Sequence, residues 1–233
     1  MEKPSVKQYN DVCCNCVGRQ WQAAGVEMAT ICSLEEIARC MREDGIGIYP
    51  TETFMALGCR AGSETAVAAL YEIKQRPYHL PLPLIASDRT QVESIVRIPP
   101  EAEKLMEFFW PGPLSILLPI SAQMPAALSG GSGQLAVRIP SHSGARDLAS
   151  AVGEPLVASS ANISGNPPAQ YAASIDPVLL KRVPFLWDAQ PSPAGRLPST
   201  LVLLSSGDTV KILRQGAVSA RVLRQAGFAV ELF

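Results

Sequence analysis

The residues that could do chemistry sit where apolar runs break off. In "KQRP", Lys74 and Arg76 lie at what reads as a helix C-terminus. Two cations there either compensate the negative end of the helix or form a fork for phosphate oxygens, a task guanidinium serves better than ammonium. In "SSANISGNPP", Ser160 and Asn162 follow an apolar run ending in Ala158. That segment is either an ordinary turn or an anion-binding concavity of hydroxyl, amide and backbone donors.

Two further breaks are "PTET", with Thr51, Glu52 and Thr53, and "LPST", with Ser199 and Thr200. The Thr51 and Thr53 hydroxyls can equally be consumed inside their own turn. Arg138 stands in the apolar run "LAVRIP", where an unpaired charge is costly, so it must meet a carboxylate or reach a cleft. Arg214, in "ILRQG", is either a strand-end residue beside a turn at Gly216 or a further cation for the same anion.

The sequence has no G-x-x-x-x-G-K-[ST] phosphate loop, no G-x-G-x-x-G fingerprint, no H-E-x-x-H and no G-x-S-x-G. A nucleotide would therefore be held by scattered basic and hydroxyl side chains. Neither His79 nor His142 has an evident Ser or Cys partner, which argues against triad chemistry.

These residues belong to a chain of 233 residues, 47% hydrophobic and 18% charged, long enough for a large core without staples. No apolar stretch approaches a membrane span, and a soluble protein is expected. A net charge of -1 gives no global attraction to nucleic acid. All six cysteines lie between Cys13 and Cys59, unlike a secreted disulfide framework, so a reducing cytoplasm is expected. The cluster Cys13, Cys14 and Cys16 lacks the paired spacing of a zinc site, and no metal ligands are assigned. No signal peptide is evident.

"SLEEIARCMREDG" opens with a Ser33/Glu36 capping-box pattern and reads as a helix. A second helix starts at Ser63 and runs into Pro77; others are expected near 88 to 95, 100 to 109, 143 to 151 and 219 to 226. "IGIYP", "LPLIA", "SILLPI", "LAVRIP", "PLVASS", "STLVLL", "TVKILR" and "FAVEL" read as strands. The expected class is α/β, with one twisted, open, mixed sheet and flanking helices. Residues 1–29 read as an extension and residues 30–233 as the domain. In open α/β sheets, ligand sites lie beyond strand ends, where the polar breaks fall.

In this order, "YPTET", "KQRP", "AVRIP", "SSANISG", "PST" and "LRQG" resemble the YrdC-like family, the threonylcarbamoyl-AMP synthases, over roughly residues 30 to 220. The K-x-R and S-x-N tetrad, here Lys74, Arg76, Ser160 and Asn162, distinguishes that family. The resemblance implies a concave basic cavity and a nucleotidyltransferase that joins L-threonine, bicarbonate and ATP, releasing pyrophosphate. It implies Mg2+ on the triphosphate as a substrate complex and no tightly bound cofactor. A partner transferase would then pass the threonylcarbamoyl group to tRNA. Lys74, Arg76, Ser160, Asn162 and Arg214 would hold the nucleotide; Arg138, Thr51, and Ser199 or Thr200 would seat threonine. Glu52 would meet the ammonium or make a structural contact.

The chain departs from the family pattern at Phe54–Gly58, at Leu80, where a polar residue is usual, at Pro83, and in "DAQPSPAG". Those departures raise an alternative, a non-catalytic relative using the cavity for tRNA or double-stranded RNA. A hydrogenase-maturation carbamoyl-transfer module ranks last, since its accompanying segments are missing. Because Lys74 and Arg76 lie at a helix end, modest burial is expected for both.

Overall fold

The computed structural model describes residues 19–23, 26–205 and 207–232. The cluster Cys13, Cys14 and Cys16 and most of the expected extension lie outside the described residues. In chain order the elements are β1 (Arg19–Ala23), β2 (Val26–Ile31), α1 (Leu34–Arg42), β3 (Gly47–Pro50), β4 (Met55–Gly58), α2 (Glu64–Lys74) and β5 (Leu84–Ile85). Then follow α3 (Arg89–Glu93), α4 (Pro100–Phe109), β6 (Leu114–Pro119), β7 (Gln134–Arg138), α5 (Ser143–Val152), β8 (Leu156–Val157) and β9 (Ser159–Ser160). The last are α6 (Pro177–Leu180), β10 (Phe185–Leu186), β11 (Thr200–Leu204), β12 (Thr209–Arg214), α7 (Ala220–Gln225) and β13 (Ala229–Leu232).

Local chemistry explains the helix ends. The Ser33 hydroxyl accepts from Glu36 N–H while the Glu36 carboxylate accepts from Ser33 N–H, completing the capping box of α1. Helix α2 starts on Ser63 and stops at Lys74, because Gln75 turns left-handed at φ 52°. Pro77 lies three residues past this end and helps keep the helix from resuming.

The α/β class holds, but the strands divide between two mixed sheets where one was expected. The first runs β1-β2-β10-β3-β4-β9 and the second β13-β12-β11-β6-β7-β5-β8. Strands β8 and β9 are one residue apart yet belong to different sheets, because Ala158 N–H turns to Pro83 O at 2.8 Å. The sheets meet where Val157 N–H donates to Cys59 O at 2.9 Å. A Cβ on Gly58 would fall 2.0 Å from Val157 O, so this approach needs glycine.

One core fills the space between sheets and helices, including Ile48, Leu57, Leu84, Ile116, Val137 and Val202. A second, around Ile37, Met41, Ile85 and Leu148, seats α1 and α5. Full burial of each such side chain stabilises by about 1.5–3 kcal/mol. Strands β1 and β2 begin before Met28, earlier than the periodicity indicated. Among the described residues, no helix is long and apolar enough to cross a membrane.

Candidate functional site

The ends of β3, β7, β9 and β12, together with the segment before β11, surround a hollow whose empty space, its open mouth included, is about 550 Å³. Three guanidinium groups line it, from Arg76, Arg138 and Arg214. Hydroxyl side chains line it too, from Thr51, Thr53, Ser159, Ser160 and Ser199. Residues from the four polar breaks, together with Arg138 and Arg214, thus reach one hollow.

Each arginine is fixed by its inner N–H groups. Arg138, 3% exposed at the end of β7, donates Nε–H to Glu52 Oε1 at 3.0 Å. It therefore meets a carboxylate and reaches a cleft at once. Among the described residues, buried Glu52 Oε2 has no hydrogen-bond partner. Arg214 donates Nε–H and Nη2–H to Ser199 O at 3.2 and 2.9 Å, and Nη2–H to Ser199 Oγ at 3.0 Å. Arg76 donates to Leu80 O at 3.2 Å and Pro81 O at 3.0 Å. Among the described residues, Arg138 Nη1 and Nη2, Arg214 Nη1 and Arg76 Nη1 have no protein acceptor.

Part of Arg214 faces the open mouth, yet protein surrounds its guanidinium. Burial, followed by the charges of Arg138 and Arg76, lowers its pKa. Burial also lowers the pKa of Arg76, partly offset by Tyr71. An anion in the hollow would relieve the repulsion among the three.

Lys74 is set more deeply than the other cations. It is 1% exposed, so the modest burial expected at a helix end is corrected. The last turn of α2 faces the protein interior, and Lys74 Nζ donates to Ser160 O at 2.5 Å, Asn162 O at 2.8 Å and Asn162 Oδ1 at 3.1 Å. Burial, then the Arg76 charge, pulls its pKa down to about 7. Opposing this, three acceptors need three N–H donors, which only the ammonium supplies. Asn162 Oδ1 also accepts from Ser160 Oγ at 2.6 Å, and Asn162 Nδ2 donates to Asn166 O. Lys74 and Asn162 thus hold Ser160 at the wall without lining it.

A model of the Sua5/YciO/YrdC family, described as telomere recombination, matches residues 39–216. The chain belongs to this family. A threonylcarbamoyl-AMP synthase of Xanthomonas campestris pv. campestris (strain B100) is 37% identical over 169 residues, 69% of this chain and 90% of the relative. The structure of P. abyssi Sua5 complexed with L-threonine is 31% identical with a TM-score of 0.79, over 86% of this chain and 58% of that one. A variant of P. abyssi Sua5 gives 32% identity and a TM-score of 0.81, over 86% and 61%. The chain therefore spans about three fifths of the length of the P. abyssi protein.

Three of the segments where this Sua5/YciO/YrdC member departs from the family pattern line the hollow or bond to residues that line it. Leu80 is 39% exposed, and its carbonyl accepts from Tyr71 Oη at 2.8 Å as well as from Arg76. Pro83 lines the hollow and shortens the expected strand to Leu84–Ile85. The segment "DAQPSPAG" packs on the turn after β3, with Ala194 N–H donating to Glu52 O at 3.1 Å and Gly195 N–H to Thr53 O at 2.7 Å.

The hydroxyls divide by role. Thr200 is fully buried away from the hollow; it donates to Val218 O at 2.7 Å and accepts from Val218 N–H at 3.0 Å, so it closes the turn after β12. A Cβ on Gly216 would lie 2.5 Å from Thr200 N, so glycine is needed there. Thr51 lines the hollow but donates its proton to Phe54 O at 2.8 Å. Sequence reasoning left Thr53, Ser159 and Ser115 outside the site. Ser115 is fully buried and donates to Ser199 Oγ at 3.0 Å; a lone serine in "LSILLP" was its signal.

Proposed function

We propose that the hollow joins L-threonine, bicarbonate and ATP into threonylcarbamoyl-AMP and pyrophosphate, a nucleotidyl transfer that supplies the threonylcarbamoyl group for tRNA modification. The observation that carries this reading is the set of three guanidiniums, each tied inward to the protein with outer N–H groups left for an anion. The name of the X. campestris relative and the L-threonine in the P. abyssi structure support the choice of product and amino acid.

The chemistry needs alignment and charge neutralisation more than a protein nucleophile. The threonine amine adds to carbon dioxide derived from bicarbonate and loses a proton, giving a carbamate. A carbamate oxygen attacks the α-phosphorus, and the bond to the β-phosphate oxygen breaks as pyrophosphate leaves. Arg138, oriented by Glu52, would hold the threonine carboxylate, with Thr51 and Ser199 shaping that wall. Arg76, Arg214 and Ser160 would meet the phosphates. Lys74 and Asn162 would act by positioning Ser160.

Among the described residues, none of those lining the hollow is a carboxylate. Mg2+ would accordingly enter on the triphosphate, coordinated by phosphate oxygens and water, where it neutralises charge on the leaving group. No specific observation favours an RNA-binding reading. The test is pyrophosphate release by the purified protein. Release that requires ATP, bicarbonate and threonine together is expected; release indifferent to threonine, or none with all three, overturns the proposal.

A further inference from the structure

Arg76 has the least buried support of the three guanidiniums. Its side-chain acceptors among the described residues, Leu80 O at 3.2 Å and Pro81 O at 3.0 Å, belong to the segment Pro77 to Pro81, which is exposed throughout. Arg138 rests instead on Glu52, whose side chain is 13% exposed, and Arg214 on buried Ser199. A surface segment with so little burial opens locally unless specific contacts tie it down.

Tyr71 supplies such ties. It is 1% exposed, on the inner face of α2. Its ring stacks on that of Tyr78, with centroids 4.7 Å apart and planes 18° from parallel. Its hydroxyl lies 2.8 Å from Leu80 O and 2.8 Å from Ala127 O, so one phenolic proton faces a carbonyl of the segment and a carbonyl beside it. Burial raises the Tyr71 pKa, and the phenol keeps that proton. Leu80 O therefore accepts both from Tyr71 Oη and from Arg76 Nε–H. The other ties are Leu80 N–H to Pro77 O at 3.0 Å, Tyr78 Oη to Ala68 O at 3.4 Å and, just past the segment, Leu82 N–H to Leu128 O at 3.2 Å.

The geometry points to Tyr71 as a positioning residue for Arg76: it ties the exposed segment to α2 and so fixes the two carbonyls that aim this guanidinium into the hollow. The consequence for ATP rests on the function proposed above. Tyr71 does not line the hollow and acts only through the segment. An Arg76 released from Leu80 and Pro81 keeps its charge but loses the alignment of its N–H groups on a phosphate oxygen.

The experiment uses Tyr71→Phe, which keeps the stacked ring and removes only the hydroxyl, and Tyr78→Ala, which removes the stack at a side chain 48% exposed. Calorimetry gives Kd for MgATP and for threonine, and NMR follows the Arg76 Nε–H signal, identified by its absence in Arg76→Lys; thermal melts control for folding. In Tyr71→Phe, Kd for MgATP is expected to rise about three- to tenfold and Kd for threonine to stay within about twofold, with the Arg76 signal exchanging faster with water. Tyr78→Ala should move both readouts the same way by less. A Kd for MgATP within about twofold of wild type, or an unmoved Arg76 signal, overturns the assignment. An equal rise for threonine would mean a general loosening of the hollow and overturns it too. Should Tyr71→Phe not fold, Tyr78→Ala carries the same comparison. A wild type that releases no pyrophosphate removes the proposed function while the MgATP comparison still decides Tyr71; one that binds no MgATP removes both.

Discussion

Lys74 Nζ lies 3.1 Å from Asn162 Oδ1, across 88 positions of the chain. With two further contacts to the carbonyls of Ser160 and Asn162, the last turn of α2 pins the loop after β9. Three members of the tetrad read from the sequence, Lys74, Ser160 and Asn162, are therefore one hydrogen-bonded unit, while Arg76 is tied to Leu80 O and Pro81 O; Ser160 and Arg76 line the hollow, and Lys74 and Asn162 stand behind it.

Replacing Lys74 with Ala should damage stability as well as activity. Three part-buried acceptors would lose their donor, a loss of about 1–3 kcal/mol. Urea unfolding should show a lowered midpoint, and pyrophosphate release should fall at least about 100-fold. A variant with wild-type stability and no activity would return Lys74 to the role of direct ligand contact.

The pH dependence has a definite sign. The folded-state pKa of Lys74 is lowered from 10.5 to about 7, so between those values the unfolded chain holds a proton that the folded chain has released. Stability contributed by this group is thus least below about pH 7 and rises with pH through the window. Unfolding of the wild type and of Lys74→Met at about pH 7 and about pH 9.5 should show the wild type gaining on the variant at the higher pH. An unchanged or shrinking difference would mean that the three acceptors hold the ammonium's pKa near its ordinary value.

Arg138 and Glu52 should act as a pair on threonine. Glu52→Gln keeps a neutral acceptor but removes the charge that orients Arg138, and should raise KM for threonine about tenfold with little change in KM for ATP. Arg138→Ala should cost more, and the double variant should be no worse than Arg138→Ala alone. Steady-state kinetics on the three variants would show additivity instead if Glu52 met the substrate independently.

Thr200→Val should behave as a folding variant. Among the described residues its hydroxyl serves only Val218, so about 1–2 kcal/mol of stability should be lost while KM for threonine stays put. A rise in that KM without loss of stability would restore Thr200 to the substrate wall.

Much of this was legible in the sequence. The Ser33/Glu36 pattern marks α1, and apolar periodicity places α4 and α5 within a residue or so of their ends. The polar breaks after apolar runs identify the hollow's arginines and most of its hydroxyls, because strand ends are where a sheet exposes chemistry. The four-residue strand β4 and two-residue strand β10 are too short to show a period. Which sheet a strand joins is set by pairing between distant segments, and periodicity carries no information about it. The same limit hid the Arg138–Glu52 pair, 86 positions apart, and the burial of Lys74, whose acceptors come from β9 and the loop after it.

The central claim is that one hollow holds both the amino acid and the triphosphate. A crystal structure with threonine and a non-hydrolysable ATP analogue tests it most directly. The expected result is the threonine carboxylate within hydrogen-bonding distance of Arg138, with phosphate oxygens against Arg76 and Arg214. Either ligand bound elsewhere on the molecule, with this hollow empty, would contradict it.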